Sequence, residues 1–352
     1  MKEIQELFMR RALLLAKKGV GTTRPNPMVG CVIEKDEKII GEGWHYKSGG
    51  PHAEVVAINS VKNPPEFNKS TLYVTLEPCS HHGKTSPCTD LIIQKKIPRV
   101  VIGTQDSYEK VNRTGIKKLK SAGIKVIESV LEEDCRILNR RFLNFHEKKR
   151  PYIVLKWAQS NDGFMDVLPH QKNTGEIFWI SNVYSRQLTH LWRTQEEALL
   201  IGTQTARNDN PQLNARHWYG NNPWRVLLDK NLRLPCSLNI YDQQQPTLIF
   251  TEETPPENKN KTRFIQTLFN ERFLENMLKN IYDLNVQSLM VEGGKKTLES
   301  FIEKKLWDES RIFIAGKNLK NGLNAPMVQG KIWRQRTIDN DRLLILIPDG
   351  AK

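Results

Sequence analysis

The segment from His52 to Cys88 constrains this chain more than any other. It opens on Pro51-His52-Ala53-Glu54 and closes on Thr75-Leu76-Glu77-Pro78-Cys79 and Pro87-Cys88. One imidazole and two thiols are three donors of the kind zinc takes in catalytic sites, which leaves a fourth position for water. Donors this far apart in sequence can grip one ion only if the ends of separate elements meet. Residues i and i+2 do not share a helix face. His52 and Glu54 can therefore converge only in a first helical turn, where the backbone is still changing direction. The bland alternative is a satisfied histidine and two buried thiols. It must explain His-x-Glu and Pro-Cys together, each at an element end, and it is the weaker reading. His81 and His82 are rival donors: either could replace a thiolate, contact a substrate, or stand in a solvated loop. Cys31 and Cys135 read as packing residues and Cys236 has no companion. Five cysteines at wide spacing do not form a disulfide framework, so reduced thiols and a cytoplasmic location are expected. The apolar run of residues 12–16 is shorter than the roughly 7–15 residues of a signal-peptide core. No run approaches the roughly 20 apolar residues of a membrane span.

Around this segment the first half alternates elements. Ile4, Leu7, Phe8, Leu14 and Leu15 fall near one helical face, with Gly19 as a stop. Residues 28–33 and 39–44 read as a hairpin around Lys35-Asp36-Glu37. A helix over 53–61 places His52 in its first turn, and residues 63–69 read as a loop. A strand over 71–76 delivers Cys79, and Pro87 starts a helix at Cys88, where the dipole favours a thiolate. A strand at 100–103, a helix at 116–122, a strand at 124–127 and one helix over 132–146 follow. The alternation predicts an α/β sheet covered on both faces.

A length of 352 residues is, as a soft prior, about two domains. Lys148-Lys149-Arg150-Pro151 marks the boundary, giving domains 1–147 and 148–352. In the second half, strands are expected at 152–157, 198–202, 225–229, 247–250, 288–292, 311–315 and 343–347. Helices are expected at 183–193 (capped by Ser181 or Asn182), 273–282 and 295–304, with a short helix or turn at 203–208. Residues 167–174 and 254–261 read as polar loops. Val291-Glu292-Gly293-Gly294-Lys295-Lys296-Thr297 is a strand, a glycine turn and a helix start, whose exposed N–H groups suit phosphate. It is neither a P-loop nor a full dinucleotide fingerprint, and alone it reads equally as a plain turn. The net charge of +14 invites nucleic acid. The basic residues are scattered and carry no basic-aromatic motif, so attraction for phosphorylated small molecules explains the charge better. Neither nucleic acid nor membrane is expected as a partner, and a homo-oligomer is left open.

Zinc deaminases keep a glutamate proton shuttle two residues after the histidine, and nucleic-acid deaminases usually carry Cys-x-x-Cys. Here residues 80–87 separate the two thiols. With Asn26-Pro27-Met28-Val29-Gly30 and Gly41-Glu42-Gly43-Trp44-His45, the His52–Cys88 set resembles the riboflavin-pathway pyrimidine deaminases over residues 5–146. The resemblance implies a cytidine-deaminase-like α/β/α sandwich with Zn2+ on His52, Cys79 and Cys88 and with Glu54 as the shuttle. It implies a phosphoribosylated diaminopyrimidine as substrate, touched by Asn26, His45 and the 80–86 loop with His81 and Lys84.

In the second half, Lys156-Trp157-Ala158-Gln159-Ser160-Asn161-Asp162-Gly163, Trp179-Ile180-Ser181, Arg193, Gly202-Thr203-Gln204-Thr205, Asp209-Asn210-Pro211-Gln212-Leu213 and Glu292-Gly293-Gly294 follow in order. Together they resemble the riboflavin-pathway reductase over residues 150–348. This implies a dihydrofolate-reductase-like α/β domain that uses NADPH to reduce the ribosyl group to ribityl. By motif matching, Ala158, Trp179, Thr205, Asp209, Leu213, Gly294, Lys295, Lys296 and Thr297 fall at NADP positions. Arg193, Arg216 and Glu292 fall at substrate positions, and an arginine suits a phosphate. Ile177 and Lys230 depart from the family's usual small polar residues. The combined expectation is a bifunctional enzyme, with a nucleic-acid base deaminase as the rival reading. No side chain stands out as the proton donor for the reduction.

Overall fold

Two apolar faces on one sheet organise the first of two compact units, Met1–Lys149 and Arg150–Lys352. The structure is a computed structural model that describes residues 2–62, 64–80, 86–107, 113–168 and 178–350, with backbone alone at 64–66. His81, His82, Lys84 and Ile177 lie outside the described residues. In β1 (Gly30–Lys35), β3 (Thr71–Leu76) and β4 (Arg99–Thr104), successive side chains alternate between faces, as a pleated strand requires. Cys31, Ile33, Leu72, Val74, Val100 and Ile102 pack on one side, and Val32, Tyr73 and Val101 on the other. With β2 (Lys38–Trp44) and β5 (Lys125–Ile127) the order is β2-β1-β3-β4-β5. The β1–β2 hairpin turns through Asp36 and Glu37, both left-handed, at φ 49° and 60°. That conformation lets a two-residue turn match the strand twist.

The first face is covered by α2 (Ala53–Asn59), α3 (Cys88–Gln94) and α4 (Thr114–Ser121). The second is covered by α1 (Lys2–Ala16) and α5 (Glu132–Leu138). The buried stripe of α1 is Phe8, Met9, Ala12, Leu13, Leu15 and Ala16, while Ile4, Leu7 and Leu14 are exposed. This corrects the expected face. Alanine marks the true contact line because β1 passes very close: a Cβ on Gly30 would lie 2.0 Å from the Ala12 carbonyl oxygen. Residues 64–69 form a short 3-10 turn instead of a loop.

The helix expected over 132–146 is in fact two, α5 and α6 (Arg140–Lys148), broken at Asn139. The buried Asn139 accepts from Met28 N–H at 2.8 Å and donates to Met28 C=O at 2.9 Å, which ties the break to the start of β1. Asn139→Ala leaves the Met28 N–H and C=O without their side-chain partner, at about 1–3 kcal/mol per orphaned group. We expect the first unit to melt several degrees lower, read by differential scanning calorimetry, with the second unit's transition unmoved.

The second unit is built on a nine-stranded sheet, in the order β11-β10-β9-β8-β12-β6-β13-β16-β15. Its strands are β6 (Tyr152–Gln159), β8 (Ala198–Gly202), β9 (Trp224–Leu228), β10 (Thr247–Thr251), β11 (Thr262–Gln266), β12 (Ser288–Val291), β13 (Glu309–Ile314), β15 (Lys331–Ile338) and β16 (Asp341–Ile347). The strands from β11 to β13 pair in parallel, and β16 and β15 close one edge antiparallel. A small pair, β7 (Phe164–Asp166) and β14 (Leu323–Asn324), lies apart. The inward rows of β6, β8, β9 and β10 pack against α9 (Phe273–Asp283) and α10 (Lys295–Glu303) on one face. The alternate rows of the same strands pack against α7 (Val183–Gln195) and α8 (Thr203–Asp209) on the other. Asn182 caps α7, its side chain accepting from Ser185 N–H at 2.9 Å. β7, β11, β14 and β15 were not expected. Among the described residues no helix is long and apolar enough to cross a membrane.

Candidate functional site

Three elements of the first unit deliver one donor each to a single point. His52 is the N-cap of α2, with extended backbone at φ −71° and ψ 159°. It stands one position ahead of the first turn in which it was expected. Cys79 follows the end of β3, and Cys88 is the first residue of α3 after Pro87. The imidazole Nδ1 lies 3.3 Å from Cys88 Sγ and 3.5 Å from Cys79 Sγ. All three ligand atoms fall within 4.8 Å of one another. A tetrahedral zinc with bonds of about 2.0–2.1 Å to nitrogen and 2.3 Å to sulfur separates those atoms by about 3.6 Å. The donor set therefore fits the ion.

The surroundings are electrostatically tuned. Glu54, 4% exposed, is pushed up to about 7, first by burial and then by Cys79. The bond between the two thiols pulls Cys79 down to about 4 and pushes Cys88 up. His52 is raised to about 8, first through its bond to Cys79. His45 is buried 5.7 Å, ring to ring, from His52. Its Nδ1 donates to the Pro51 carbonyl at 2.9 Å and its Nε2 accepts from Asn26 Nδ2 at 3.1 Å. Burial holds its pKa down, so the ring stays neutral. The structure thus gathers Asn26, His45, His52, Glu54, Cys79 and Cys88.

In the second unit the carboxyl ends of β6, β8, β9 and β12 share one sheet edge, the usual place for ligands in parallel sheets. β12 enters between β6 and β8, so Glu292 and the glycine turn after it open into that edge. A Cβ on Gly293 would lie 2.6 Å from Ile201 Cα, so only glycine lets the turn close on β8. The turn ends at Gly294, the N-cap of α10, at φ 32°. Ideal Cβ positions at Gly294 and Gly202 fall 3.3 Å from Thr205 Oγ1 and 2.9 Å from Thr297 Oγ1. Thr205, Gly294 and Thr297 therefore form one cradle. Lys295 and Lys296 continue it, the latter exposed. Asp209 is the last residue of α8. Ala158 is placed by β6, and Trp179, 47% exposed, stacks with the Arg186 guanidinium at 4.6 Å. Leu213 differs: its side chain is buried in the core, so only its left-handed backbone can face a ligand.

Arg193 and Glu292 pair in a fork, at 3.0 and 2.7 Å, and Arg193 also donates to the Asn214 carbonyl at 3.0 Å. Burial alone would raise Glu292, but the Arg193 charge and bond hold it down at about 2. Arg216 donates to Asn214 Oδ1 at 3.1 Å. Three neighbours were given no role by the sequence reading, although Lys156 stood within a quoted motif. Lys156 lies near Glu292 and Arg193, its ammonium pKa lowered first by burial. His190 is buried one turn before Arg193 and packs edge-on against His217 at 4.6 Å. Burial, then Arg193 and Arg216, push His190 down to about 4. The spacing of His190 and Arg193 was the available signal, since residues three apart share a helix face.

Comparison with known proteins agrees with both halves. The cytidine and deoxycytidylate deaminase zinc-binding region matches residues 2–104, and the RibD C-terminal domain matches residues 151–337. Riboflavin biosynthesis protein RibD of Aquifex aeolicus is 41% identical, over 92% of this chain and 90% of that protein. Its counterpart in Escherichia coli is 35% identical, over 90% and 84%. A solved Thermotoga maritima deaminase/reductase matches at a TM-score of 0.88 and 36% identity, covering 99% of each chain. RibD of Acinetobacter baumannii matches at 0.88 and 30%, again over 99% of each. Both halves and their order are shared along nearly the whole length, and the chain belongs to the RibD family of riboflavin biosynthesis proteins.

Proposed function

We propose that His52, Cys79 and Cys88 hold one zinc ion, that Glu54 moves the protons of a hydrolytic deamination, and that the second unit reduces the deaminated product with NADPH. The chain is a bifunctional enzyme of riboflavin biosynthesis, a deaminase followed by a reductase. The Thermotoga maritima relative is a diaminohydroxyphosphoribosylaminopyrimidine deaminase and 5-amino-6-(5-phosphoribosylamino)uracil reductase, and the same pair of substrates is proposed here. The observation that carries the reading is the meeting of three donor atoms within 4.8 Å beside a buried glutamate.

Zinc, when bound, polarises water for attack on the ring carbon that carries the amine. The protein does the rest. Glu54 carries one proton from the water to the ring nitrogen and a second from the added hydroxyl to the departing amine, which leaves as ammonia. Asn26 and the neutral His45 line the approach to that carbon. In the second unit the cradle of Thr205 and Gly294 to Thr297, with Ala158, Trp179, Asp209 and the Leu213 backbone, takes the dinucleotide. Arg193, Arg216 and Glu292 orient the phosphoribosyl chain. The proposed setting is the cytoplasm, with a phosphoribosylated pyrimidine as ligand and neither nucleic acid nor membrane as partner.

The test is metal analysis with two assays on the purified chain. One zinc per chain, ammonia release from the phosphoribosylated diaminopyrimidine, and NADPH oxidation only once deaminated product is present are the expected results. Ammonia release from tRNA or single-stranded DNA, with none from the free pyrimidine, would overturn the reading.

A further inference from the structure

The first unit holds a buried carboxylate that the deamination does not use. Glu77 stands between the end of β3 and Cys79 and is 4% exposed. Its Oε1 accepts the backbone N–H groups of Gly115 at 3.0 Å and Ile116 at 3.2 Å. Its Oε2 accepts those of Arg113 at 3.0 Å and Asp106 at 3.3 Å. Four donors on two oxygens match an ionised carboxylate, which only accepts. The donors come from the segment after β4 and from the entry and first turn of α4, so one side chain fastens both to the chain just ahead of a metal ligand.

Two further contacts repeat the attachment. Ser80 Oγ and Thr114 Oγ1 are 2.6 Å apart. A Cβ on Gly115 would lie 2.1 Å from the Pro78 carbonyl oxygen, so glycine is what lets α4 close onto this segment. Glu77, Pro78 and Ser80 thus all meet the start of α4, and Cys79 lies between them. From the opposite side, Thr89 N–H donates to the Cys79 carbonyl at 3.2 Å and Cys88 N–H points at Cys79 Sγ at 3.4 Å. Cys79 is fixed from both directions, and the α4 side depends on Glu77.

We infer that Glu77 is a positioning residue for the metal centre: it anchors the Glu77–Ser80 segment to α4 and so holds the Cys79 sulfur where it shares an ion with His52 and Cys88. This rests on the zinc reading given above. Removing partners one step beyond metal ligands elsewhere typically costs 10–100-fold in metal affinity. Glu77→Gln keeps the shape but turns an amide NH2 toward backbone N–H groups, so at least one of the four contacts becomes donor against donor.

The experiment uses the full chain, with reduction by the second unit as an internal control for the amount of intact enzyme and the melting transition of the first unit as the control for its folding. Zinc release into excess chelator and the thiolate-to-cobalt absorption of the Co2+ form are measured for wild type, Glu77→Gln and Gly115→Ala. The second variant leaves the carboxylate in place and pushes α4 off Pro78. Both variants are expected to release zinc about 10–100-fold faster and to show a weakened or shifted thiolate band, with NADPH oxidation on deaminated substrate unchanged. Wild-type release rates in both variants overturn the inference. So does faster release with an unchanged cobalt spectrum, which means that the unit opens more often without the sulfur having moved. If the wild-type chain itself binds neither ion, the zinc reading fails, and that outcome is distinct from the other two.

Discussion

Glu54→Gln is expected to cut ammonia release by roughly 10²–10⁴-fold, the usual worth of positioned acid–base catalysis. Reduction of pre-deaminated substrate should continue at the wild-type rate. The asymmetry follows from the architecture. Glu54 is buried in the first unit beside Cys88, and its neighbours Cys79 and His52 belong to the same centre. Glutamine fills the same volume and keeps an oxygen, but it cannot carry a proton from water to the ring and on to the amine. Zinc content measured on the same preparation should stay at one ion per chain, which separates a lost shuttle from a lost metal. Ammonia release near the wild-type rate would remove Glu54 from the mechanism.

Arg193→Ala should have the mirror effect, abolishing reduction while deamination persists. The Arg193 and Glu292 side chains are 11% and 7% exposed and meet in a two-bond fork. Breaking a buried pair by deleting one partner leaves an uncompensated charge, at a typical cost of about 3–5 kcal/mol. Glu292 is held at about 2 by this partner against the pull of burial. Its stabilising share is full above the ordinary carboxylate range and drains away as pH falls from there toward about 2. Arg193→Ala should therefore lower the second unit's melting temperature at neutral pH. A matched apolar pair, Arg193→Met with Glu292→Leu, should restore much of that loss. If the apolar pair recovers stability but reduction stays dead, the fork serves substrate as well as fold. Recovery of both would reduce it to a structural pair.

The legible and illegible parts of this molecule differ in what carries the information. His52, Glu54, Cys79 and Cys88 were readable because rare donor types stand at element ends, beside prolines that mark those ends. Strands such as β3, rich in β-branched and aromatic residues and buried throughout, announced themselves by composition. The face of α1 did not, because Ala12 and Ala16 mark it and large apolar residues at Leu7 and Leu14 face outward. β15 escaped because Lys331 to Ile338 is mostly exposed and lacks the alternation of a half-buried strand. The break at Asn139 depends on a partner, Met28, at the far end of the unit. Glu77 stood within a quoted motif, yet its partners are peptide N–H groups, which every residue but proline carries and which leave no mark in a sequence.

The late entry of β12 also has a consequence for synthesis. Ser288 to Val291 fills the slot between β6 and β8, two strands made more than eighty residues earlier. Until the ribosome has released that stretch, β8 keeps a bare edge and β6, whose other neighbour β13 is made later still, has no partner in the sheet, so these exposed edges can recruit other chains. The deaminating half carries no such debt: every strand it needs lies before residue 128, so it can mature while its neighbour is still a gap waiting for its central plank.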